Sequence, residues 1–219
     1  MLTFGVIAEG KTDFPVLRNI LCGYFTDPAV NRVQPENDED PAGWSQVFAA
    51  LNKGKHREAL QFNDFVVVHV DTDVCQEKGF DVPVHAEGRA LSKDEVLDRV
   101  CQRLKELLGA PFLDRYGDRV ILAVAVEAIE CWLMPLLFRD AKQAKTTGCL
   151  RAVNRERTRR NLLALSSADE KQKFLRQYDD ASREYRTRKT LLERAPENLS
   201  LAHFVFQLSL LTPTVIDRS

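Results

Sequence analysis

Short apolar runs alternate with helically spaced apolar positions along the first 140 residues. Residues 65–70 (FVVVHV) read as a buried strand, short and β-branched, closed by Asp71. Residues 3–8 (TFGVIA) and 120–126 (VILAVAV) read the same way, and residues 30–33 form a shorter run ended by Pro35. Between them, Phe14, Leu17, Ile20, Leu21 and Tyr24 recur at helical spacing from about Thr12. Trp44, Val47, Phe48 and Leu51 predict a second helix. Ser92 with Glu95 forms a capping box that opens a third, through Leu97, Val100, Leu104 and Leu107, with Gly109 and Pro111 expected to end it. The last strand is expected to run straight into a helix carrying Trp132 and Leu136, with Trp132 and Leu133 read as core rather than as a substrate platform. Residues 74–90 have no period and read as a long loop.

Strands alternating with helices predict an α/β fold, a mostly parallel Rossmann-like sheet with helices on both faces. The strand signal stops near residue 140. The remainder reads as helices, one opened by Ser167 and Glu170, one through Tyr185 and one through Phe204 and Leu208. The expected organisation is an α/β core over residues 1–140 and a basic helical region over 141–219 packed on it.

In a parallel sheet, ligands gather beyond the carboxyl ends of the strands. Glu9 follows the first strand, and Asp71-Thr-Asp73 follows a later one. Alternate residues of an extended D-x-D point the same way, so both aspartates can face one site. Hard oxygens without histidine or thiolate select Mg²⁺ or Mn²⁺. Lys11 stands beside this group, placed to balance a phosphate or polarise an oxygen. A competing reading takes residues 5–12 (GVIAEGKT) as the G-x-x-x-x-G-K-T loop of a P-loop NTPase or nucleotide kinase. That loop would have to turn through Val6, Ile7 and Ala8, which continue the strand pattern, and would set Glu9 beside a triphosphate.

Glu9-Gly10 with Asp13, followed by Asp71 and Asp73, resembles the TOPRIM fold of topoisomerases, primases and overcoming-lysogenization-type nucleases over roughly residues 3–125. More narrowly, the chain resembles a prokaryotic TOPRIM-like family of unknown function. The likeness is carried by AEGKTD near the start, VVVHVDTD, residues 126–133 (VEAIECWL) and residues 200–204 (SLAHF). The resemblance implies metal-dependent nuclease chemistry, with Glu9, Asp71 and Asp73 at the metal and Glu127 and Glu130 added to it. It also implies a link to phage defence beside an ATPase partner. Without the resemblance, Glu127 and Glu130 read as acids in a first helical turn, favoured there by the helix dipole. A non-catalytic module that binds nucleic acid or a protein partner is the alternative class.

Net charge is −1, but unevenly spread. Residues 1–141 hold 15 Lys and Arg against 23 Asp and Glu, a net of −8; residues 142–194 hold 15 against 7, a net of +8. The basic segment is the expected nucleic-acid surface, with Arg155, Arg157, Arg159 and Arg160 densest and Arg186 and Lys189 on a further helical face with Arg183. Few aromatics are interleaved, so stacking on single-stranded bases is not indicated. His69 reads as a partly buried, satisfied strand histidine rather than a catalyst. No apolar run reaches the ~20 residues of a membrane span. The first residues lack the basic region of a secretory leader. The five cysteines are odd in number and scattered, which predicts neither a zinc site nor disulfides and points to the cytoplasm.

Overall fold

The computed structural model describes residues 1–165 and 175–211. β1 (Thr3–Ile7) leads through α1 (Asp13–Tyr24) to β2 (Ala29–Gln34), followed by α2 (Trp44–Asn52), α3 (Lys55–Phe62) and β3 (Phe65–Asp71). A small hairpin, β4 (His85–Ala86) and β5 (Arg89–Ala90), precedes α4 (Lys93–Leu108), α5 (Ala110–Tyr116) and β6 (Val120–Ala125). The rest is helical: α6 (Met134–Leu137), α7 (Cys149–Arg159), α8 (Leu175–Ser182), α9 (Arg188–Arg194) and α10 (Leu199–Ser209), with single 3₁₀ turns between. The chain is thus α/β, with a four-stranded sheet in the order β2-β1-β3-β6. All its pairings are parallel. Among the described residues no helix is long and apolar enough to cross a membrane.

Strand alternation divides the core in two. Phe4, Val6, Phe65, Val67, Ile121 and Ala123 face α1 and the C-terminal helices; Ile7, Val66, Val68, Val70, Leu122 and Val124 face α2, α4 and α5. His69 and Asp71 continue the first of these series, so β3 directs them towards α1. Tyr178, Tyr185, Leu191, Leu201 and Phe204 belong to the same buried cluster as β1, so the described part of residues 141–219 shares the core rather than resting on it. The packing there is close: a Cβ on Gly23 of α1 would lie 1.8 Å from the Tyr185 carbonyl oxygen. At the sheet edge, the Gln207 side chain of α10 accepts from Leu122 N and donates to Leu122 O, pairing backbone groups that would otherwise template aggregation.

Several local expectations change. The Ser92–Glu95 capping box forms and Gly109 ends α4 as its C-cap, as expected, but a second helix, α5, follows at once. Gly109 has φ +84°, which turns the chain, and Pro111 sits in the first turn of α5, where its missing N–H costs nothing. α3 escaped the periodicity because only His56 and Ala59 are buried on it. The loop over 74–90 contains the β4–β5 hairpin. β6 does not run straight into a helix: Glu127 takes φ +67°, and a 3₁₀ turn, Ile129–Leu133, precedes α6. The helix expected from Ser167 and Glu170 lies outside the described residues. A further 3₁₀ turn, Arg183–Arg186, ends before α9, so Arg183 and Arg186 do not share a continuous helical face with Lys189. The cysteine reading is also corrected: Cys131 and Cys149 form a disulfide, 18 positions apart, leaving Cys22, Cys75 and Cys101 free. Their scattered spacing hid a pairing made by α7 folding back onto the turn after β6.

Candidate active site

The carboxyl ends of β1 and β3 are adjacent in the sheet, with Ile7 opposite Val68. Two residues beyond, Glu9 turns its carboxylate onto β3, where Oε1 accepts from Asp71 N at 2.8 Å. Gly10 makes the turn into α1, and its N–H donates to Asp13 Oδ2 at 2.7 Å. Asp13 therefore opens α1 with its carboxylate folded back towards the strand ends. Val6 and Ile7 are buried strand residues, so residues 5–12 do not form the phosphate-cradling loop of a P-loop NTPase. Lys11 points elsewhere: its Nζ donates to the Asp38 carbonyl at 3.2 Å.

Asp71 lies at the centre of a group of acids. Burial raises its pKa well above the usual carboxylate range, and the charges of Asp13, Glu9, Glu130 and Asp73 raise it further. Its Oδ1 is buried without a hydrogen-bond partner, although the side chain keeps 18% of its surface exposed. Beneath it, the fully buried His69 ring stands between two carboxylates, 3.6 Å from Asp13 Oδ2 and 3.5 Å from Asp71 Oδ1. Neither ring nitrogen makes a hydrogen bond, and burial pushes the imidazole down to about 3, so the ring is neutral near pH 7. The expectation of a satisfied histidine therefore fails. Trp132 meets His69 edge-on at 6.1 Å and closes this side of the site.

Glu130 and Glu127 part company. Glu130, 3% exposed, accepts from the Tyr178 hydroxyl at 2.5 Å and acts on Asp71 through its charge. Glu127 is a loop anchor: its carboxylate accepts from Gly148 N, just before α7. Its backbone is clamped to the end of β3, with Glu127 N donating to Thr72 Oγ1 and Asp73 N donating to Glu127 O. A cleft of about 600 Å³ opens over this edge, lined by Asp71, Asp73, Glu127 and Glu130 on one side and by Gln76, His85, Lys93, Leu91 and Leu150 around it. Among the described residues, no group of three or more His, Cys, Asp and Glu side chains stands already arranged to hold a metal ion. The acids are close enough to act on Asp71 but are not drawn to one point.

The basic residues separate into structural and surface groups. Arg157 is buried, donates to Leu163 O at 2.7 Å and lies 3.6 Å from Asp180, so it is not presented to a ligand. Arg186 bonds Asn19 and Asp179, fastening the 183–186 turn to α1. Arg159 and Arg160 hold Glu156, whose carboxyl they push down to about 2. Both remain at the surface. With Arg139, Lys142 and Arg155 they line a groove of about 460 Å³. Lys189 is exposed, 4.0 Å from Glu193.

Asp13 entered the sequence reading only through the resemblance, and Tyr178 did not enter it at all. The spacing D-F-P marks Asp13 as a first-turn acid, and no periodic signal brings Tyr178 to residue 130. No family model, curated protein or solved structure matches the chain.

Proposed function

We propose that this protein carries out divalent-cation-dependent phosphodiester chemistry on nucleic acid, most simply hydrolysis. The observation that carries the reading is Asp71, a carboxylate with a buried, unpartnered oxygen at the carboxyl edge of a parallel sheet, amid the charges of Asp13, Glu9, Glu130 and Asp73. Several carboxylates whose charges bear on Asp71 offer hard oxygen donors, which fit Mg²⁺ or Mn²⁺ in both charge and donor type. Asp71 and Asp73 would hold the cation, with Glu9 and Glu130 closing on it. When bound, the cation would activate water and offset charge on the phosphate. Glu127 lines the same cleft, with one carboxylate oxygen engaged by Gly148 N and the other left for the cation. Lys11, held on Asp38, drops out of the chemistry.

α7 supports the nucleic-acid part. Its first residues, Cys149 and Leu150, line the acidic cleft, and Arg155 and Arg159 further along line the basic groove. Ten residues of helix separate Cys149 from Arg159, about 15 Å. A polyanion laid along α7 would meet cations at one end and the carboxylate site at the other, which offsets the repulsion of the acids. A phage-defence role and an ATPase partner rest on the resemblance alone, and the Cys131–Cys149 disulfide removes the cysteine argument for a cytoplasmic location. A non-catalytic binding module is favoured by one observation, that no three donors are already assembled.

The test is cleavage of DNA and RNA by purified protein with Mg²⁺ or Mn²⁺. Cleavage that disappears in the double variant Asp71→Asn, Asp73→Asn, with the fold intact, supports the reading. Nucleic-acid binding without cleavage in either metal assigns the chain to the binding-module class.

A further inference from the structure

We propose that Tyr178 is a positioning residue of the carboxylate site, its phenol fixing Glu130 among the groups that take up the cation. The inference rests on the divalent-cation reading above. Tyr178 is fully buried on α8, and its hydroxyl lies 2.5 Å from Glu130 Oε1. A buried carboxylate without a donor loses its solvation with nothing in return, and a donor at short distance restores part of it and fixes the plane of the group. The phenol supplies the O–H of this bond and the Glu130 oxygen accepts it.

The helix that presents the phenol is itself fixed to the site. Arg18 of α1 pairs with Asp179 at 2.7 Å, and Asn19 Nδ2 donates to Ser182 Oγ at 2.8 Å. α1 is the helix that begins at Asp13. One rigid path therefore runs from Asp13 through α1 and α8 to the Tyr178 hydroxyl and Glu130. The C-terminal part thus contributes a donor to the acidic site. This is the outer-shell arrangement by which proteins orient carboxylate ligands, and loss of such a partner costs about 10–100-fold in metal affinity.

The experiment measures Mn²⁺ binding by electron paramagnetic resonance on the full chain, as a cycle of wild type, Tyr178→Phe, Glu130→Gln and the double variant. Phenylalanine keeps the ring and its packing. The expected result is about tenfold weaker Mn²⁺ binding in Tyr178→Phe, and less than about twofold further weakening when Glu130 is already Gln. A purely structural tyrosine would lower thermal stability equally in both backgrounds and leave Mn²⁺ affinity unmoved, which overturns the proposal. A readout on the wild-type sequence needs no variant to fold. With 3-fluorotyrosine at the 4 tyrosines, Mg²⁺ should shift a buried ¹⁹F resonance, and a spectrum unmoved at saturation also overturns the assignment. Wild type that binds no Mn²⁺ overturns the cation reading together with this one. Wild type that binds, with Tyr178→Phe unaffected, overturns the role of Tyr178 alone.

Discussion

Glu9 Oε1 accepts a hydrogen bond of 2.8 Å from the backbone N–H of Asp71, 62 positions further along the chain. The bond ties the carboxyl ends of the two central strands together through an acid that also carries charge to the site. Its two roles are separable. Glu9→Gln keeps an acceptor for Asp71 N and removes the charge, so it should fold normally and bind Mn²⁺ about tenfold or more weakly. Glu9→Ala removes both and should also lose about 1–2 kcal/mol of stability, because the Asp71 N–H is left unpaired. Denaturant melts with Mn²⁺ titrations distinguish the two. Equal stability in both variants would mean that water replaces the Glu9 oxygen.

Asp71 should be a site of stored instability in the metal-free protein. Its pKa is raised in the fold by burial and by Asp13, Glu9, Glu130 and Asp73. The folded state then holds its proton more tightly than the unfolded chain. The associated stability is complete below the unfolded value near 3.8 and is lost as pH rises through the folded value. His69 acts in the opposite sense: lowered from 6.5 to about 3, it favours the fold above 6.5, and that contribution is lost as pH falls towards 3. Asp71→Asn should therefore raise the metal-free melting temperature at pH 8, by several degrees for ~1–2 kcal/mol, while abolishing Mn²⁺ binding. Added Mn²⁺ should stabilise wild type and not the variant. A variant less stable than wild type at pH 8 without metal would show that the Asp71 charge is already balanced.

The Cys131–Cys149 disulfide joins the turn that carries Glu130 to the start of α7. It closes a loop of 18 positions, for which chain entropy gives about 3 kcal/mol of stabilisation. Cys131→Ser with Cys149→Ser should lower unfolding free energy by about that amount. Thiol titration of the unreduced, unfolded wild type should find three reactive cysteines, and five after reduction. Five thiols without reductant would show that the bond is absent under the conditions of isolation, as expected for protein kept in a reducing cytoplasm.

The parallel sheet was legible because β1, β3 and β6 are short, apolar and buried on both faces, a pattern with few alternatives. Glu9, Asp71 and Asp73 were legible for the same reason, as the first acids beyond such strands. Glu127 and Glu130 were legible as residues but not as geometry. Their i, i+3 spacing implies a shared helical face, yet Glu127 takes a left-handed turn and bonds Gly148 instead. The disulfide and the Tyr178–Glu130 bond depend on how the helices after β6 fold back, which local periodicity does not encode. Charge counting failed in a specific way. Arg157 and Arg186 add to the basic excess of residues 142–194, but Arg157 is buried on Leu163 O beside Asp180, and the exposed Arg186 is engaged by Asn19 and Asp179.

That division gives opposite expectations for neighbouring arginines on α7. Arg157→Ala removes a buried guanidinium that bonds Leu163 O and faces Asp180, and should cost about 2–3 kcal/mol of stability. Any effect on nucleic-acid binding should follow the lost fold. Arg155→Ala with Arg159→Ala acts at the rim of the basic groove, removes the surface Arg159–Glu156 ion pair and should leave stability within about 1 kcal/mol. Binding of the wild type to duplex DNA should weaken with salt by ~0.9 logarithmic units per decade for each phosphate contacted. The Arg155, Arg159 variant should lower that slope by ~1–2 units while Mn²⁺ affinity at Asp71 stays unchanged, because the two sites lie at opposite ends of α7. Filter binding across a salt series measures the slope, and calorimetry measures the metal. A slope that stays at the wild-type value would remove the groove from the nucleic-acid path and leave it as a docking surface for an acidic protein partner.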